Sequence, residues 1–354
     1  MAMPAIPMHG LPNTFRICAT EFTEDKIMTK KERTGIVVAG SVIVDKINEI
    51  SAYPNAGELT QIRSIQNAVG GCVPNVAMDL KKIAPHLPIG AVGKIGNDAE
   101  GAYVTDVLKA GGVSIEGLAV MNGEKTSFTE VMSIPGGQRT FFVYPGASAD
   151  FGVADMDFDN MDAKILHLGY FLLLQKVDDG DGLLILQKAK DMGIETSIDL
   201  VSENSDRYSL VLPCLPYTDY LIVNELEAGR LAGMEPAAEN LEKIARRLME
   251  LGVQKKVIIH MPERSVCLSK EGYAVLGSYI LPDGYIQGTT GAGDAFCAGA
   301  LIGIYNGWSD METMEFASSC AVMALRSPDA TGGMQTEAEI KDYCKQFARR
   351  EALQ

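Results

Sequence analysis

Short apolar runs alternate with amphipathic helical stretches along most of the chain from Gly35 onward. The run "GIVVAGSVIVD" predicts an opening strand, and both "PNVAMDLKKIA" and "GAYVTDVLKAGG" place apolar residues on one stripe at helical spacing. Further along, the predicted order is "DGLLILQKAKDMG" (helix), "IETSIDL" (strand), "YLIVN" (strand), "NLEKIARRLMELG" (helix) and "KKVIIH" (strand). This alternation predicts βαβ units, and therefore an α/β fold whose mostly parallel central sheet is covered by helices.

Two stretches interrupt the alternation with patterns typical of β-hairpins. They are "GELTQIRSIQ" (57–66) and "KTSFTEVMSIPGGQRTFFVYPG" (125–146), the second with Pro135, Gly136 and Gly137 at its turn. Because no crossover helix is expected after either stretch, strands near 57–66 and 125–144 are predicted to form a separate small sheet. We expect one domain over residues 34–354, preceded by a loosely ordered extension over residues 1–33 that lacks hydrophobic periodicity.

The composition narrows the classes of partner. The 31 basic and 46 acidic residues give a formal net charge of -15, which repels nucleic acids and anionic lipids, so neither is expected to bind. No apolar run reaches 18 residues, so no membrane span is expected. The seven cysteines are widely spread, without a CxxC pair, which favours reduced thiols and a cytoplasmic location.

The stretch "GTTGAGDAF" precedes a strongly apolar helical run, "AFCAGALIGIY". Glycines at the start of a helix leave backbone N–H groups unpaired at the positive end of the helix dipole, which makes an anion cradle of Gly291, Ala292 and Gly293. Such a cradle suits a transferring phosphoryl group. Asp294 then lies where it can take a proton from an attacking hydroxyl, and we expect the helix dipole to lower its pKa further.

Three other interpretations of this stretch fit the residues less well. A Walker A loop does not match, because "NGEKTS" (122–127) lacks glycines at the required positions. A dinucleotide-binding fingerprint needs a third glycine where Phe296 stands. In the simplest interpretation, the stretch is an ordinary helix start without a binding role, and Asp294 is its N-cap.

Four motifs in order resemble those of the ribokinase-like (PfkB) carbohydrate kinase family. "GTTGAGD" is similar to the family's D-T-x-G-A-G-D signature, with Gly288 at the first aspartate position. "GGCVPNVAMDLKKI" followed by "AVGKIGNDAEG" resembles its N-terminal signature, "GSVIVD" its opening strand, and "VNELEAG" its N-x-x-E motif. The resemblance implies a ribokinase-like three-layer αβα domain with a small β-sheet lid.

The resemblance also implies roles for individual residues. Asp294 resembles the catalytic base and Gly291, Ala292 and Gly293 the anion hole. The sugar-hydroxyl contacts of the family match four positions here, Asp45, Gly70, Gly71 and Asn75. ATP and Mg²⁺ are the implied donor and cofactor, with Asn224, Glu227 and Thr289 on the nucleotide side and Glu227 near the Mg²⁺ ion through water.

The resemblance implies a kinase that phosphorylates a primary hydroxyl of a small sugar, and a homodimer formed through the lid. A nucleoside kinase of the same fold and a catalytically silent sugar-binding regulator stay open as alternatives. A phosphosugar kinase is less favoured, because no clear basic cluster replaces the Asp45 and Asn75 type of site. Arg63 and Arg139, on the expected lid strands, are interpreted as solvated charges rather than as a phosphate site. Two departures affect the implications: Gly288 removes a carboxylate that helps hold a monovalent cation in the family, and "HMPERS" (260–265) replaces a glycine-containing nucleotide loop.

Overall fold

The computed structural model describes residues 33–135 and 138–352, so the predicted N-terminal extension lies outside the described residues apart from Arg33. The apolar runs form strands whose bounds, in chain order, are β1 (Gly35–Gly40), β2 (Ile43–Ile50), β3 (Ile62–Gly70), β4 (Ile89–Gly96), β5 (Ser114–Met121), β6 (Ser127–Ser133), β7 (Arg139–Tyr144), β8 (Ala163–Phe171), β9 (Glu195–Leu200), β10 (Tyr220–Asn224), β11 (Lys256–His260), β12 (Arg264–Ser269) and β13 (Gly272–Gly277). The helices are α1 (Cys72–Ile83), α2 (Ala99–Ala110), α3 (Gly182–Asp191), α4 (Glu225–Ala232), α5 (Leu241–Glu250), α6 (Ala292–Asn306), α7 (Asp310–Leu325) and α8 (Glu337–Cys344).

Nine strands form the central sheet, in the order β13-β12-β11-β10-β9-β8-β1-β4-β5. All pairs from β11 to β5 are parallel, and β12 and β13 continue the sheet as an antiparallel edge. Both faces of β1 are buried, because Ile36 and Val38 pack into one apolar core and Val37 and Ala39 into a second core on the opposite face. This explains the uninterrupted apolar run of β1, since strands covered by helices on both sides have no solvent-facing positions.

The helices divide between the two faces of this sheet. The first core holds apolar residues of α1, α2, α6, α7 and α8, and the second holds those of α3, α4 and α5. The amphipathic stripe of α5 is an example, with Leu241, Ile244 and Leu248 all buried in the second core. The predicted three-layer αβα fold with a mostly parallel central sheet is confirmed.

The small sheet contains four strands in the order β3-β2-β6-β7. Its β6–β7 hairpin is antiparallel, whereas β2 and β6 run parallel. Two details of the sequence interpretation were wrong. The first stretch forms a strand at Ile62–Gly70 rather than at 57–66, and β3 passes directly into α1 instead of lacking a following helix.

The opening run "GIVVAGSVIVD" is also divided between the two sheets, as β1 and β2. β1 ends at Gly40, and the chain then turns into β2. The φ of Gly40, 138°, lies in a region that favours glycine. A Cβ atom at this position would lie 2.6 Å from the carbonyl oxygen of Gly169 on β8. One apolar run therefore serves both sheets because a glycine allows the chain to turn where β1 and β8 come close.

In the described part of the chain, six cysteines are free and buried: Cys72, Cys214, Cys267, Cys297, Cys320 and Cys344. None of the helices described over 33–135 and 138–352 is both long and apolar enough to cross a membrane.

Helices α6 and α7 pack closely at Gly299, where a larger side chain would not fit. A Cβ atom at Gly299 on α6 would lie 2.7 Å from the Cα atom of Ala317 on α7. We expect Gly299→Ala to lower the free energy of unfolding by about 1–3 kcal/mol, because the helices must separate to admit the methyl group. Urea unfolding followed by circular dichroism measures the change.

Gly293→Ala is the matched control on the same helix, because its Cβ atom would meet only the imidazole of His260, at 3.8 Å. This variant should keep or slightly raise the stability, since alanine favours helix by roughly 1 kcal/mol over glycine. Equal stability changes in the two variants would contradict the close α6–α7 contact.

Candidate active site

The loop before α6 turns sharply at Gly291, which is the N-cap residue with a φ of 78°. A Cβ atom at this position would lie 2.6 Å from the Cα atom of Ala330, so both the backbone conformation and the neighbouring loop require glycine. Asp294 is the third residue of α6. The interpretation of Asp294 as the N-cap is therefore wrong.

The backbone amides at the start of α6 are largely free. The Ala292 amide donates a long hydrogen bond of 3.3 Å to the Thr289 carbonyl oxygen. Within the described ranges, the amides of Gly291, Gly293 and Asp294 donate to no protein acceptor. They lie at the positive end of a 15-residue helix, and this arrangement favours an anion.

Asp294 is buried in the first turn of α6, with 5% of its surface exposed. Its Oδ2 atom accepts two hydrogen bonds of 2.9 Å each, from Nδ2 of Asn75 and from the hydroxyl of Tyr170. The pKa of Asp294 is raised to about 7, chiefly by burial and also by the nearby Asp199 carboxylate, although the two hydrogen bonds act to lower it. The expectation of a lowered pKa was wrong, because the loss of hydration outweighs the helix dipole.

Asn75 and Asp45 approach Asp294 from the side of the small sheet. The turn between β3 and α1 passes through Gly71, whose φ is 84° and whose Cβ atom would lie 2.8 Å from the Ser41 carbonyl oxygen. A Cβ atom at Gly70 would collide with the Asp45 carboxylate. The two glycines therefore let the helix that carries Asn75 begin directly beside Asp45.

The side-chain amide of Asn75 is only partly hydrogen-bonded. Its Nδ2 atom donates to Asp294, but its Oδ1 atom is buried and has no partner among the described residues. Because a buried polar atom without a partner is costly, this oxygen suits a ligand hydroxyl that donates to it. Asp45 is half-buried on β2, and burial raises its pKa while a hydrogen bond with Thr129 lowers it.

Asn224 and Glu227 meet at the start of α4, where they form a reciprocal capping box. The Glu227 amide donates to Oδ1 of Asn224 at 2.9 Å, and Oε1 of Glu227 accepts from Nδ2 of Asn224 and from the hydroxyl of Ser202, each at 2.8 Å. Burial raises the pKa of Glu227 to about 7. Thr289 lies in the exposed loop just before Gly291 and does not line the cavity that Asn224 and Glu227 share with Asp294.

That cavity, of about 240 Å³, lies at the carboxyl ends of the parallel strands, where open α/β sheets bind their ligands. Three carboxylates line it, those of Asp199, Glu227 and Asp294. Carboxylate and amide oxygens are the ligands that Mg²⁺ prefers, so Glu227, with Asn224 beside it, fits the predicted ion. Since the oxygens of Glu227 already accept protein hydrogen bonds, contact through water fits better than direct coordination.

Sequence reasoning missed three residues of this site, Tyr170, Asp199 and His260. Asp199 and His260 are polar residues at the carboxyl ends of apolar strands, β9 and β11, and this position was the signal available in the sequence. His260 packs against Phe296 with ring centroids 4.7 Å apart, and burial lowers its pKa to about 4. Its imidazole is therefore neutral near pH 7.

Residues 33–337 match the family described as pfkB family carbohydrate kinase.

The chain belongs to the pfkB family of carbohydrate kinases.

Curated relatives of this family member include ribokinase of Arabidopsis thaliana, 26% identical over 313 residues that cover 88% of this chain and 81% of that protein. The chain is also 24% identical over 330 residues to 5-dehydro-2-deoxygluconokinase of Clostridium perfringens, covering 89% of this chain and 94% of that protein. A solved structure of A. thaliana ribokinase complexed with ribose and ATP is 25% identical and has a TM-score of 0.77, covering 88% of this chain and 99% of that chain. The predictions of a ribokinase-like fold and of a phosphotransferase that acts on an alcohol group are confirmed.

Gly288 and the segment at 260–265 depart from the pfkB signatures, and the structure shows the surroundings of both. A Cβ atom at Gly288 would lie 2.9 Å from the Ser327 carbonyl oxygen, so an aspartate there requires the neighbouring loop to move. The segment "HMPERS" covers the end of β11, the tight connection and the start of the antiparallel strand β12, and His260 at the end of β11 lines the cavity. On the small sheet, Nη1 of Arg139 donates to Oγ1 of Thr290 at 3.3 Å, and Nε of Arg63 donates to the hydroxyl of Ser51.

The buried carboxyl of Asp294 should make the stability of the protein depend on pH. Its folded pKa of about 7 lies above the ordinary aspartate value of 3.8, so between these two values the native state binds more protons than the unfolded state. The protein therefore loses stability as the pH rises from about 4 through 7. From pH 5 to pH 8, we expect wild type to lose up to about 3 kcal/mol relative to Asp294→Asn, since each pKa unit is worth about 1.4 kcal/mol. Urea unfolding of both proteins at the two pH values measures the difference.

Asp191→Asn, at an exposed position of α3, is the control for the change of charge. A difference between wild type and Asp294→Asn that does not vary with pH would show that Asp294 is ionised throughout this range.

Proposed function

We propose that this pfkB kinase transfers the γ-phosphoryl group of ATP to a primary hydroxyl of a small sugar. The observation that carries the proposal is the juxtaposition of Asp294, hydrogen-bonded to Asn75, with free backbone amides at the start of α6. A base beside an anion site is what phosphoryl transfer to an alcohol requires. A protein that only bound sugars would have no use for this pair, which argues against the regulator alternative.

In the proposed mechanism, Asp45 and the free Oδ1 atom of Asn75 accept hydrogen bonds from sugar hydroxyls. Asp294 in its ionised form accepts the proton of the attacking hydroxyl. The amides of Gly291, Gly293 and Asp294 donate to the phosphoryl oxygens as their charge spreads. The hydroxyl is thereby oriented between its base and the phosphorus atom, which lowers the entropic cost of reaction.

The nucleotide side is assigned to Asn224, Glu227 and the loop at Thr289. Asn224 and Glu227 would hold Mg²⁺ through water, and the bound ion would supply positive charge against the phosphates. The neutral imidazole of His260 lies beside Gly293 and can donate to a phosphate oxygen. Arg139, on the first residue of β7, adds a cation next to the anion site when the lid is in place.

The small sheet acts as the lid in this proposal. By the strand register, Phe141 and Val143 pair with Val131 and Thr129, and these lie on the same face of the sheet as Asp45. An apolar surface over the sugar would exclude water, which would otherwise accept the phosphoryl group in place of the sugar.

Asp294→Asn tests the proposed base. We expect kcat to fall by about 10²- to 10⁴-fold, because general-base catalysis contributes factors of this size, with a smaller change in KM for ATP. The readout is ADP release with ribose, fructose, other small sugars and nucleosides as acceptors. Asp191→Asn is the control and should keep wild-type kcat.

The same acceptor panel separates the alternatives. Turnover of nucleosides but not of sugars would favour the nucleoside kinase. Absence of turnover with every acceptor, together with a sugar that raises the melting temperature, would favour the regulator.

We also propose a homodimer through the lid. All six residues of the edge strand β7 are exposed, and Phe141 and Phe142 are each 58% exposed. An open apolar edge strand readily pairs with another chain. Phe142 lies on the face opposite Asp45, so it can be changed without altering the surface over the sugar.

Phe142→Asp should therefore convert a wild-type dimer into a monomer, because a buried unpaired charge is costly at an interface. Sedimentation velocity over a range of concentrations measures the mass. Leu184→Asp, at an exposed apolar position of α3, is the matched control and should leave the mass unchanged. A monomeric wild type, or a Phe142→Asp variant that still dimerises, would exclude this interface.

A further inference from the structure

The end of β8 and the residue that follows it have an unusual backbone. Tyr170, with a φ of 62°, and Leu172, with a φ of 76°, are the non-glycine residues with positive φ within 33–135 and 138–352. Side chains with a Cβ atom disfavour this region, and such strain persists only where the surroundings impose it. Two such residues within three positions, at the edge of the candidate active site, point to a function for one of the side chains.

Several contacts impose this conformation. The Tyr170 amide donates to Oδ1 of Asp199 at 2.6 Å, and the Leu172 amide donates to Oδ1 of Asp178 at 2.8 Å. The Phe171 carbonyl oxygen accepts from the Val201 amide at 3.0 Å. The turn is therefore held by two carboxylates and a neighbouring backbone segment, and the side chain of Tyr170 has a defined direction.

That direction brings the Tyr170 hydroxyl to Oδ2 of Asp294. The same oxygen accepts from Asn75, so both of its lone pairs are occupied. No donor to Oδ1 of Asp294 exists among the residues described. A hydroxyl that approaches this carboxylate therefore finds only Oδ1 free.

We propose that Tyr170 is a positioning residue for phosphoryl transfer: with Asn75 it saturates Oδ2 of Asp294, and so directs the acceptor hydroxyl to Oδ1 and keeps the carboxylate ionised. This inference rests on the proposed function for its kinetic consequences, but the hydrogen bond and its effect on the carboxylate exist without a substrate. Tyr170 does not itself exchange a proton with the sugar.

The charges around Asp294 explain why two donors matter. The titratable groups that face it are the carboxyls of Asp199, Asp45 and Asp79, the thiols of Cys72 and Cys297, and the imidazole of His260, which lies near Gly293. The nearby carboxylates disfavour the ionised form of Asp294, and the charge of Lys82 lowers the pKa of the neighbouring Asp79. The hydrogen bonds from the neutral side chains of Asn75 and Tyr170 therefore favour the ionised form of Asp294.

Tyr170→Phe tests the role, because it keeps the ring and removes one donor. We expect kcat/KM below pH 7 to fall by about 10- to 100-fold, as for the loss of a hydrogen bond to a charged group. The acidic limb of the pH profile should move to higher pH, since loss of a donor disfavours the ionised carboxylate, and much of the activity should return at pH 9. KM for ATP should stay unchanged.

Tyr220→Phe is the matched control. The Tyr220 hydroxyl also donates to a carboxylate, Oε2 of Glu195 at 2.7 Å, but Tyr220 lies at the other end of the strands. This variant should keep the wild-type pH profile. A Tyr170→Phe enzyme with the wild-type profile and kcat would overturn the proposal and leave Tyr170 a packing role.

A second measurement needs no substrate. In protein labelled with ¹³C at aspartate carboxyls, the Asp294 signal is assigned by its loss in Asp294→Asn and titrated in wild type and Tyr170→Phe. A higher pKa in the variant supports the proposal, and an unchanged pKa overturns it. If wild type phosphorylates no acceptor, the proposed function fails, while this titration still decides the role of Tyr170.

Discussion

The burial of one carboxylate, Asp294, is the constraint on which the rest of the site depends. A carboxylate with 5% exposure is stable only where donors replace its lost water, and here the donors come from two other parts of the chain, α1 and the end of β8. Its pKa of about 7 places it between ionised and protonated forms near neutral pH. Such a group is a much better base than an exposed aspartate, because its proton affinity is closer to the pH at which it works.

Buried carboxylates are concentrated around one small cavity of this acidic protein. Asp199, Glu227 and Asp294 line one space of about 240 Å³, and Asp199 raises the pKa of both other residues. Repulsion of this kind is relieved when cations enter, and free amides at the start of α6 offer a place for the anion that accompanies them. The electrostatics therefore favour a phosphate–metal pair over either ion alone.

The two sheets contribute different parts of this site. The carboxyl ends of the parallel strands line the cavity and the start of α6 carries the free amides, and both elements pack against buried cores. The small sheet supplies Asp45 and, through Gly70 and Gly71, the start of the helix that carries Asn75. A ligand that contacted both Asp45 and Asn75 would lie at the junction of the two sheets, so its binding would depend on the position of the small sheet.

Local patterns in the sequence were enough for the α/β alternation, the helix start at Gly291 and the four pfkB motifs, since strand burial, helix periodicity and glycine turns act over a few residues. The division of "GIVVAGSVIVD" between two sheets was not predictable, because it depends on Gly40 meeting Gly169, far along the chain. The raised pKa of Asp294 and the part played by Tyr170 were also decided by tertiary structure. Burial and hydrogen bonds between residues 124 and 219 positions apart exist only after folding, and no local pattern of residue types encodes them.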